Sequence, residues 1–214
     1  MIWIWKEVSG RRTPASSIPL SMAPVQSMMG TRMQDYNLLV TFHHNEKMKA
    51  EEEVANRIKE AGLVLEDLME SSVAGLLLVR VAGDGKEAVK KLRGFAFRFP
   101  EQFHYTHHWT PVEEWVSSEP EVMVSAAQNF GSRIREGDRW RLDLEKRHYD
   151  GGPSLDLIKM LTDPIENGTV DLNDPELIIK VEIIGGFAGF SLVNEEEVLD
   201  INDVRKIMGL AHVA

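Results

Sequence analysis

The chain has 214 residues, of which 43% are hydrophobic and 27% charged, and its formal net charge is −10. It contains no cysteine, which excludes disulfides, thiolate nucleophiles, iron–sulfur clusters and cysteine-based zinc sites and indicates a reducing cytoplasm. No apolar run approaches the roughly 18–20 residues of a membrane-spanning helix. The acidic balance argues against nonspecific binding to DNA or RNA, so any polyanion has to be held by a local basic patch.

Residues 1–33 carry three prolines among several serines and show no hydrophobic periodicity. This composition predicts a disordered extension. Met33 stands immediately before the first clear strand pattern, so we expect the true start to lie there and the first 32 residues to be an over-called extension. A genuine flexible arm is the other interpretation.

Residues 34–116 alternate between strand and helix patterns in the order β-α-β-β-α-β, which is typical of a ferredoxin-like domain. The predicted strands cover 37–44, 63–67, 75–81 and 103–109. The predicted helices cover 45–61 and 86–92, and each lies where a crossover between parallel strands is needed.

Residues 117–196 form the second predicted domain, which begins after a proline-bounded segment. Helices are predicted at 121–135 and 154–161, and strands at 139–147, 177–184 and 187–193. Strand 139–147 alternates, with Trp140, Leu142 and Leu144 on one face and charged residues on the other. Residues 197–214 are expected to be a C-terminal tail with a helix-like segment at 198–208.

Five short motifs in the second half resemble the THUMP domain, an RNA-binding module of several tRNA-modifying enzymes. They are Glu145-Lys146-Arg147, SLDLIKML (154–161), VDLNDPE (170–176), KVEIIGG (180–186) and GFSLV (189–193). They occur in the family's order and spacing, and the resemblance covers roughly 34–196, because a ferredoxin-like domain commonly precedes the THUMP domain in that family. Asp174 departs from the asparagine that the family often has there, but Asp also suits a turn.

The expected fold is therefore α+β, with an N-terminal ferredoxin-like domain followed by a THUMP α/β domain. Only residues 197–214 follow the THUMP-like region, whereas an appended catalytic domain needs more than about a hundred residues. The sequence also contains no GxxxxGK[ST] loop and no strand-linked GxGxxG. The chain is thus most similar to stand-alone THUMP proteins, which resemble the adaptor that helps an acetyltransferase form N4-acetylcytidine in tRNA.

The resemblance implies a non-catalytic adaptor that needs no cofactor and presents tRNA, through its acceptor 3′ end, to a separate acetyltransferase. Two alternatives stay open. The protein is a protein-interaction module whose acidic surface docks a basic partner, with RNA binding incidental, or it is a small enzyme with an unrecognised site. Five histidines in two clusters, 43–44 and 104–108, are a weak signal for a metal, because no carboxylate or cysteine has ligand spacing.

The first candidate RNA-binding set, called the strand patch, consists of Arg139, Arg141, Lys146 and Arg147. A Gly-Gly turn and a helix start follow this strand at once, and the free N–H groups of a helix start suit a phosphate. The alternative interpretation is a solvated strand face neutralised by Asp143 and Glu145. The resemblance favours RNA binding here, with Lys146 and Arg147 as the principal contacts.

The second candidate set, called the helix patch, consists of Lys86, Lys90, Lys91, Arg93 and Arg98. The predicted helix places Lys86, Lys90 and Arg93 on one face. These residues also fit an ordinary exposed helix. If both patches bind one RNA strand, that strand bridges the two domains and its affinity falls steeply with salt.

Overall fold

The computed structural model describes residues 33–210. The predicted extension therefore lies outside the described residues except for Met33. No helix within 33–210 combines the length and the apolar composition that crossing a membrane requires.

The described chain contains ten strands and five helices. The strands are β1 Leu38–Phe42, β2 Leu65–Glu70, β3 Leu76–Val81, β4 Thr106–Pro111, β5 Glu114–Ser117, β6 Arg139–Arg147, β7 Thr169–Val170, β8 Leu177–Ile184, β9 Phe187–Val193 and β10 Leu199–Asp200. The helices are α1 Lys47–Glu60, α2 Gly85–Arg98, α3 Pro120–Gly131, α4 Ser154–Thr162 and α5 Ile201–Ile207. Single 3-10 turns occur at Pro100–Gln102 and Glu195–Glu197.

The first sheet has the strand order β10-β4-β1-β3-β2, and all of its neighbouring strands are antiparallel. The order β4-β1-β3-β2, with helices after β1 and β3, is the ferredoxin-like arrangement that the sequence predicts. The two helices bury Val54, Ile58 and Leu92 against the sheet. Helix α2 begins where Asp84 accepts hydrogen bonds from two backbone N–H groups of its first turn.

The second sheet has the order β5-β9-β8-β6-β7. Strand β6 is parallel to β8 and β7, and β8 and β9 form an antiparallel hairpin. Trp140 and Leu142 face a core that α3 and α4 cover, while Arg139, Arg141, Asp143, Glu145 and Arg147 lie on the opposite face. The predicted alternation along β6 is therefore confirmed, and the α+β fold class with it.

The two sheets pack against each other through a smaller apolar cluster. It joins Leu39, Leu76 and Leu78 of the first sheet to Trp115 and Ile184 of the second. This packing leaves Arg141 and Asp143 of β6 beside Arg93 of α2 and the C-terminal residues 195–207.

Two segments belong to a different part of the fold from the one the sequence suggests. Strand β5, inside the predicted N-terminal range, pairs with β9 of the second sheet. The predicted tail returns to the first sheet, where β10 pairs with β4 and Ile201 and Val204 of α5 enter its core. The boundaries at 34–116 and 117–196 stay a prediction.

Candidate functional site

The nine predicted RNA-binding side chains separate into two groups. Six form ion pairs with acidic side chains: Lys86, Lys90, Arg93, Arg139, Arg141 and Arg147. Lys91, Arg98 and Lys146 form no salt bridge with any described residue. The patches are therefore real clusters of cations, but most of their charge is neutralised within the protein.

The positive charge at the first residue of β6, Arg139, is neutralised by the loop that carries the VDLNDPE motif. The Arg139 guanidinium lies 2.6 Å from the carboxylate of Asp174 and 3.6 Å from that of Asp171. Backbone N–H groups of Asp174 and Asn173, followed by Arg139, hold the pKa of Asp171 below its usual value. This loop thus folds around Arg139 and competes with any external anion for it.

Near the other end of β6, Arg147 is engaged with a buried carboxylate. Its guanidinium donates to Glu182 of β8, whose side chain is only 8% exposed. Burial raises the pKa of Glu182, while Arg147 and Lys180 oppose that change. Arg147 therefore has a structural partner that the sequence does not reveal.

Lys146 has a different environment from Arg147. The alternation along β6 places it on the opposite face from Arg147, beside the start of α4. Its ammonium group donates to the carbonyl oxygen of Gly152, and the residues of that turn are exposed. Among the strand-patch residues, Lys146 has no carboxylate partner in the described chain.

The helix patch is divided between two faces of α2. Lys86 lies 3.3 Å from the Glu113 carboxylate and donates to the carbonyl oxygen of Leu192 in β9. Lys90 and Arg93 contact acidic residues of the Glu195–Glu197 turn. These three lysine and arginine side chains thus connect α2 with the second half of the chain.

Lys91 and Arg98 are exposed on α2 and form no ion pair with a described residue. Seven residues separate them, so they lie on the same face, two turns apart. They leave a free pair of charges on this helix.

A cleft of about 600 Å³ lies between the two halves and brings one residue of each patch together. Its polar walls are Arg93 and His108 from the first half and Arg141, Asp143 and Lys180 from the second. Its remaining lining residues are Glu195, Asp200, Asp203 and Lys206, with the apolar Ile178, Val198, Val204 and Ile207. We call this feature the intersheet cleft.

Lys180 of the intersheet cleft is absent from the predicted sites. The sequence predicts a buried strand at 177–184, which includes Lys180. In the structure, however, its ammonium group lies 3.3 Å from the carboxylate of Asp143. Lys180 and Glu182 alternate with apolar residues, and this period of two was the available signal for a polar face.

The histidines of the two sequence clusters, 43–44 and 104–108, are only partly brought together in the structure. His43 packs edge to face on His107, with ring centroids 4.2 Å apart. Burial, and then the neighbouring His43, lower the pKa of His107. Over 33–210, no group of three or more His, Asp or Glu side chains is placed to hold a metal ion.

No protein-family model matches the chain, and no curated protein is significantly similar to it in sequence. Several solved structures share its fold, among them the following two. PH1313 from Pyrococcus horikoshii Ot3 has a TM-score of 0.55 at 16% identity, with 77% of this chain and 55% of that one covered. TrmN from Thermus thermophilus has a TM-score of 0.50 at 15% identity, with 72% of this chain and 44% of that one covered.

The chain therefore spans about half the length of these two proteins, both of which contain a THUMP domain. At this level of identity the likeness concerns the fold alone. The chain shares its two-sheet α+β architecture with these two structures, and the α+β fold class that the sequence predicts is confirmed.

Proposed function

We propose that this protein is a tRNA-binding adaptor without catalytic activity that works in the cytoplasm. In this proposal it presents the acceptor 3′ end of tRNA to a separate acetyltransferase that forms N4-acetylcytidine. The motifs and the THUMP-type fold support RNA binding as the class of function. The observation that carries the proposal is the environment of Lys146.

Lys146 and the start of α4 together make a suitable phosphate site. The N-cap residue Pro153 gives the first turn no side-chain hydrogen bond, so backbone N–H groups remain available there. The turn at Gly151 and Gly152 is exposed. A helix start carries about half a positive charge, and the adjacent lysine adds a full one, while the exposed Asp156 of the first turn opposes both.

The free pair Lys91 and Arg98 supplies the second contact in this proposal. Because neither has an acidic partner among the described residues, a phosphate can approach without breaking an ion pair. The six paired cations of the two patches first have to leave a carboxylate, which weakens any contact with RNA.

Binding titrations with intact tRNA and with tRNA trimmed of its single-stranded 3′ end test the proposal. We expect trimming to weaken binding, and Lys146→Ala to reduce affinity for intact tRNA by roughly 10-fold, the value of one charge-assisted contact. Lys59→Ala is the control, because Lys59 is an exposed lysine that, like Lys146, forms no ion pair with a described residue. Asp156→Asn is expected to strengthen binding.

The salt dependence provides a second readout. Lys146→Ala should reduce the slope of log affinity against log salt by about 1, because one phosphate contact disappears. Equal affinities for intact and trimmed tRNA, or equal effects of Lys146→Ala and Lys59→Ala, would refute acceptor-end binding at this site.

The adaptor role is tested separately from RNA binding. We expect no modification of tRNA when the purified chain is supplied with acetyl-CoA or S-adenosylmethionine alone. Modification by the chain alone would make it an enzyme. A partner that stays bound after nuclease treatment, and that depends on acidic surface residues, would favour the protein-interaction alternative.

A further inference from the structure

The intersheet cleft has unequal charge on its two sides. On the second-half side, Arg141 and Lys180 share the single carboxylate of Asp143, with Nε of Arg141 at 2.8 Å and Nζ of Lys180 at 3.3 Å. Among the cleft-lining residues of β6 and β8, one carboxylate faces two cations, which leaves an excess of one positive charge. Glu182, the next acidic residue on this face of β8, is paired with Arg147. Lys180 is only 18% exposed, which strengthens its interaction with an anion relative to one in open solvent.

Arg93 adds a cation with a weak partner. Its guanidinium lies 3.4 Å from the carboxylate of Glu195, whose side chain is 86% exposed. An exposed ion pair of this kind contributes little, about 0–1 kcal/mol. A ligand anion can therefore displace Glu195 at small cost and take its place on Arg93.

The opposite wall of the cleft has apolar side chains and one free acceptor. Val198, Val204 and Ile207 offer an apolar surface for a flat ring. Asp200 is already engaged, since it caps α5 and lies 3.4 Å from His108. Asp203 is exposed and forms no ion pair with a described residue, so its carboxylate can accept a hydrogen bond from a ligand amino group.

We propose that the intersheet cleft binds a nucleoside monophosphate whose base carries an exocyclic amino group. The phosphate is held by Arg93, Arg141 and Lys180, the base lies on the apolar wall, and Asp203 accepts from the amino group. A volume of about 600 Å³ is within the range of small-molecule sites. This site goes beyond the RNA contact proposed at Lys146, because the two share no residue.

The test is a calorimetric titration of the full chain with adenosine 5′-monophosphate (AMP), adenosine, and inosine 5′-monophosphate (IMP), in which a carbonyl replaces the amino group. We expect AMP to bind with a Kd below ~1 mM and adenosine to bind at least ~10-fold more weakly, for want of the charged contacts. IMP should bind roughly 5–10-fold more weakly than AMP, and Asp203→Asn should remove that preference.

Two variants of the phosphate wall make the proposal falsifiable. Lys180→Met and Arg93→Gln should each weaken AMP binding about 10-fold, while the melting temperature shows whether each variant is folded. Lys146→Ala should leave AMP binding unchanged even if it abolishes tRNA binding. Failure of this site and failure of the proposed function are therefore distinguishable.

A short RNA, with and without a 5′-phosphate, distinguishes the source of the nucleotide. If AMP does not bind but 5′-phosphorylated RNA does so in a manner that depends on Lys180, the ligand is an RNA terminus. The absence of both kinds of binding would overturn the proposal. AMP binding that neither Lys180→Met nor Arg93→Gln weakens would also overturn it.

Discussion

Replacement of Arg147 by methionine tests the interpretation that this residue primarily stabilises the fold through its ion pair with Glu182. Methionine keeps the unbranched apolar stem of the side chain but removes the one guanidinium within residues 33–210 that donates to the Glu182 carboxylate. The buried carboxylate then loses its principal partner, and Lys180, two residues away on the same face of β8, is the nearest replacement.

The size of the effect follows from the burial of the pair. Glu182 is 8% exposed and Arg147 is 23% exposed, so solvent screens their interaction weakly. Breaking one side of a buried pair costs roughly 3–5 kcal/mol. Because Lys180 compensates in part, we expect Arg147→Met to lower the free energy of unfolding by about 3 kcal/mol. For a chain of this size, that corresponds to a fall in Tm of roughly 6–12 °C.

The effect should depend on pH, because burial already raises the pKa of Glu182 and Arg147 opposes that rise. Without Arg147, the folded-state pKa of Glu182 moves further above its unfolded value. The folded variant then binds a proton that the unfolded chain does not, so its stability falls as the pH rises between these two values. The loss of stability relative to the wild type should therefore be largest at pH 8 and become smaller toward pH 5.

Chemical denaturation at pH 5 and pH 8 provides the measurement. Arg139→Met is the control, since Arg139 pairs with exposed carboxylates, and it should cost no more than about 1 kcal/mol. The double variant Arg147→Met, Glu182→Gln should recover most of the loss. A deficit for Arg147→Met no larger than that for Arg139→Met, or one of equal size at both pH values, would refute this account of the pair.

Two further stability predictions concern the first half. Gly85→Ala should destabilise the protein by about 1–3 kcal/mol, because the new Cβ would lie 2.4 Å from the carbonyl oxygen of Asn37. Gly94→Ala on the same helix meets no atom within 4 Å and should stabilise the protein by about 0.5–1 kcal/mol. Similar shifts in the melting temperature of the two variants would contradict this prediction. Glu53→Ala should lower the free energy of unfolding, measured by urea denaturation, by roughly 2–4 kcal/mol. The buried Glu53 carboxylate accepts backbone hydrogen bonds from residues 104–106, and these would be lost. The exposed Glu52→Ala serves as its control, and an equal effect of the two would show that these hydrogen bonds add little.

Hydrophobic periodicity predicted the parts of the fold that local sequence determines. The expected strands 139–147, 177–184 and 187–193 agree with the structure to the residue, because their apolar faces are long and unambiguous. Strand β5 has only four residues, and β10 only two. Their existence depends on pairing with β9 and β4 respectively, which a local pattern does not contain.

The candidate site was predictable only as a set of residue types. Adjacent lysines on α2 illustrate the limit: Lys90 contacts Glu197, 107 positions along the chain, while Lys91 faces solvent. A rotation of about 100° per helical residue separates these two environments. Which face meets the second half of the chain is set by sheet packing, so neither ion pairing nor free charge follows from the local sequence.

The difference between cations that form ion pairs within the protein and cations that remain free determines which basic residues are available to bind RNA. Lys86 and Arg133 both contact Glu113, in the segment that connects β4 with β5, while the same carboxylate accepts from the backbone of Leu192. Such cations hold the two halves of the chain together, and their loss would weaken an RNA site indirectly. Replacement of free cations such as Lys91, Arg98 and Lys146 should instead lower RNA affinity without lowering Tm. Measuring both quantities for each variant therefore separates residues that contact RNA from those that maintain the surface on which it binds.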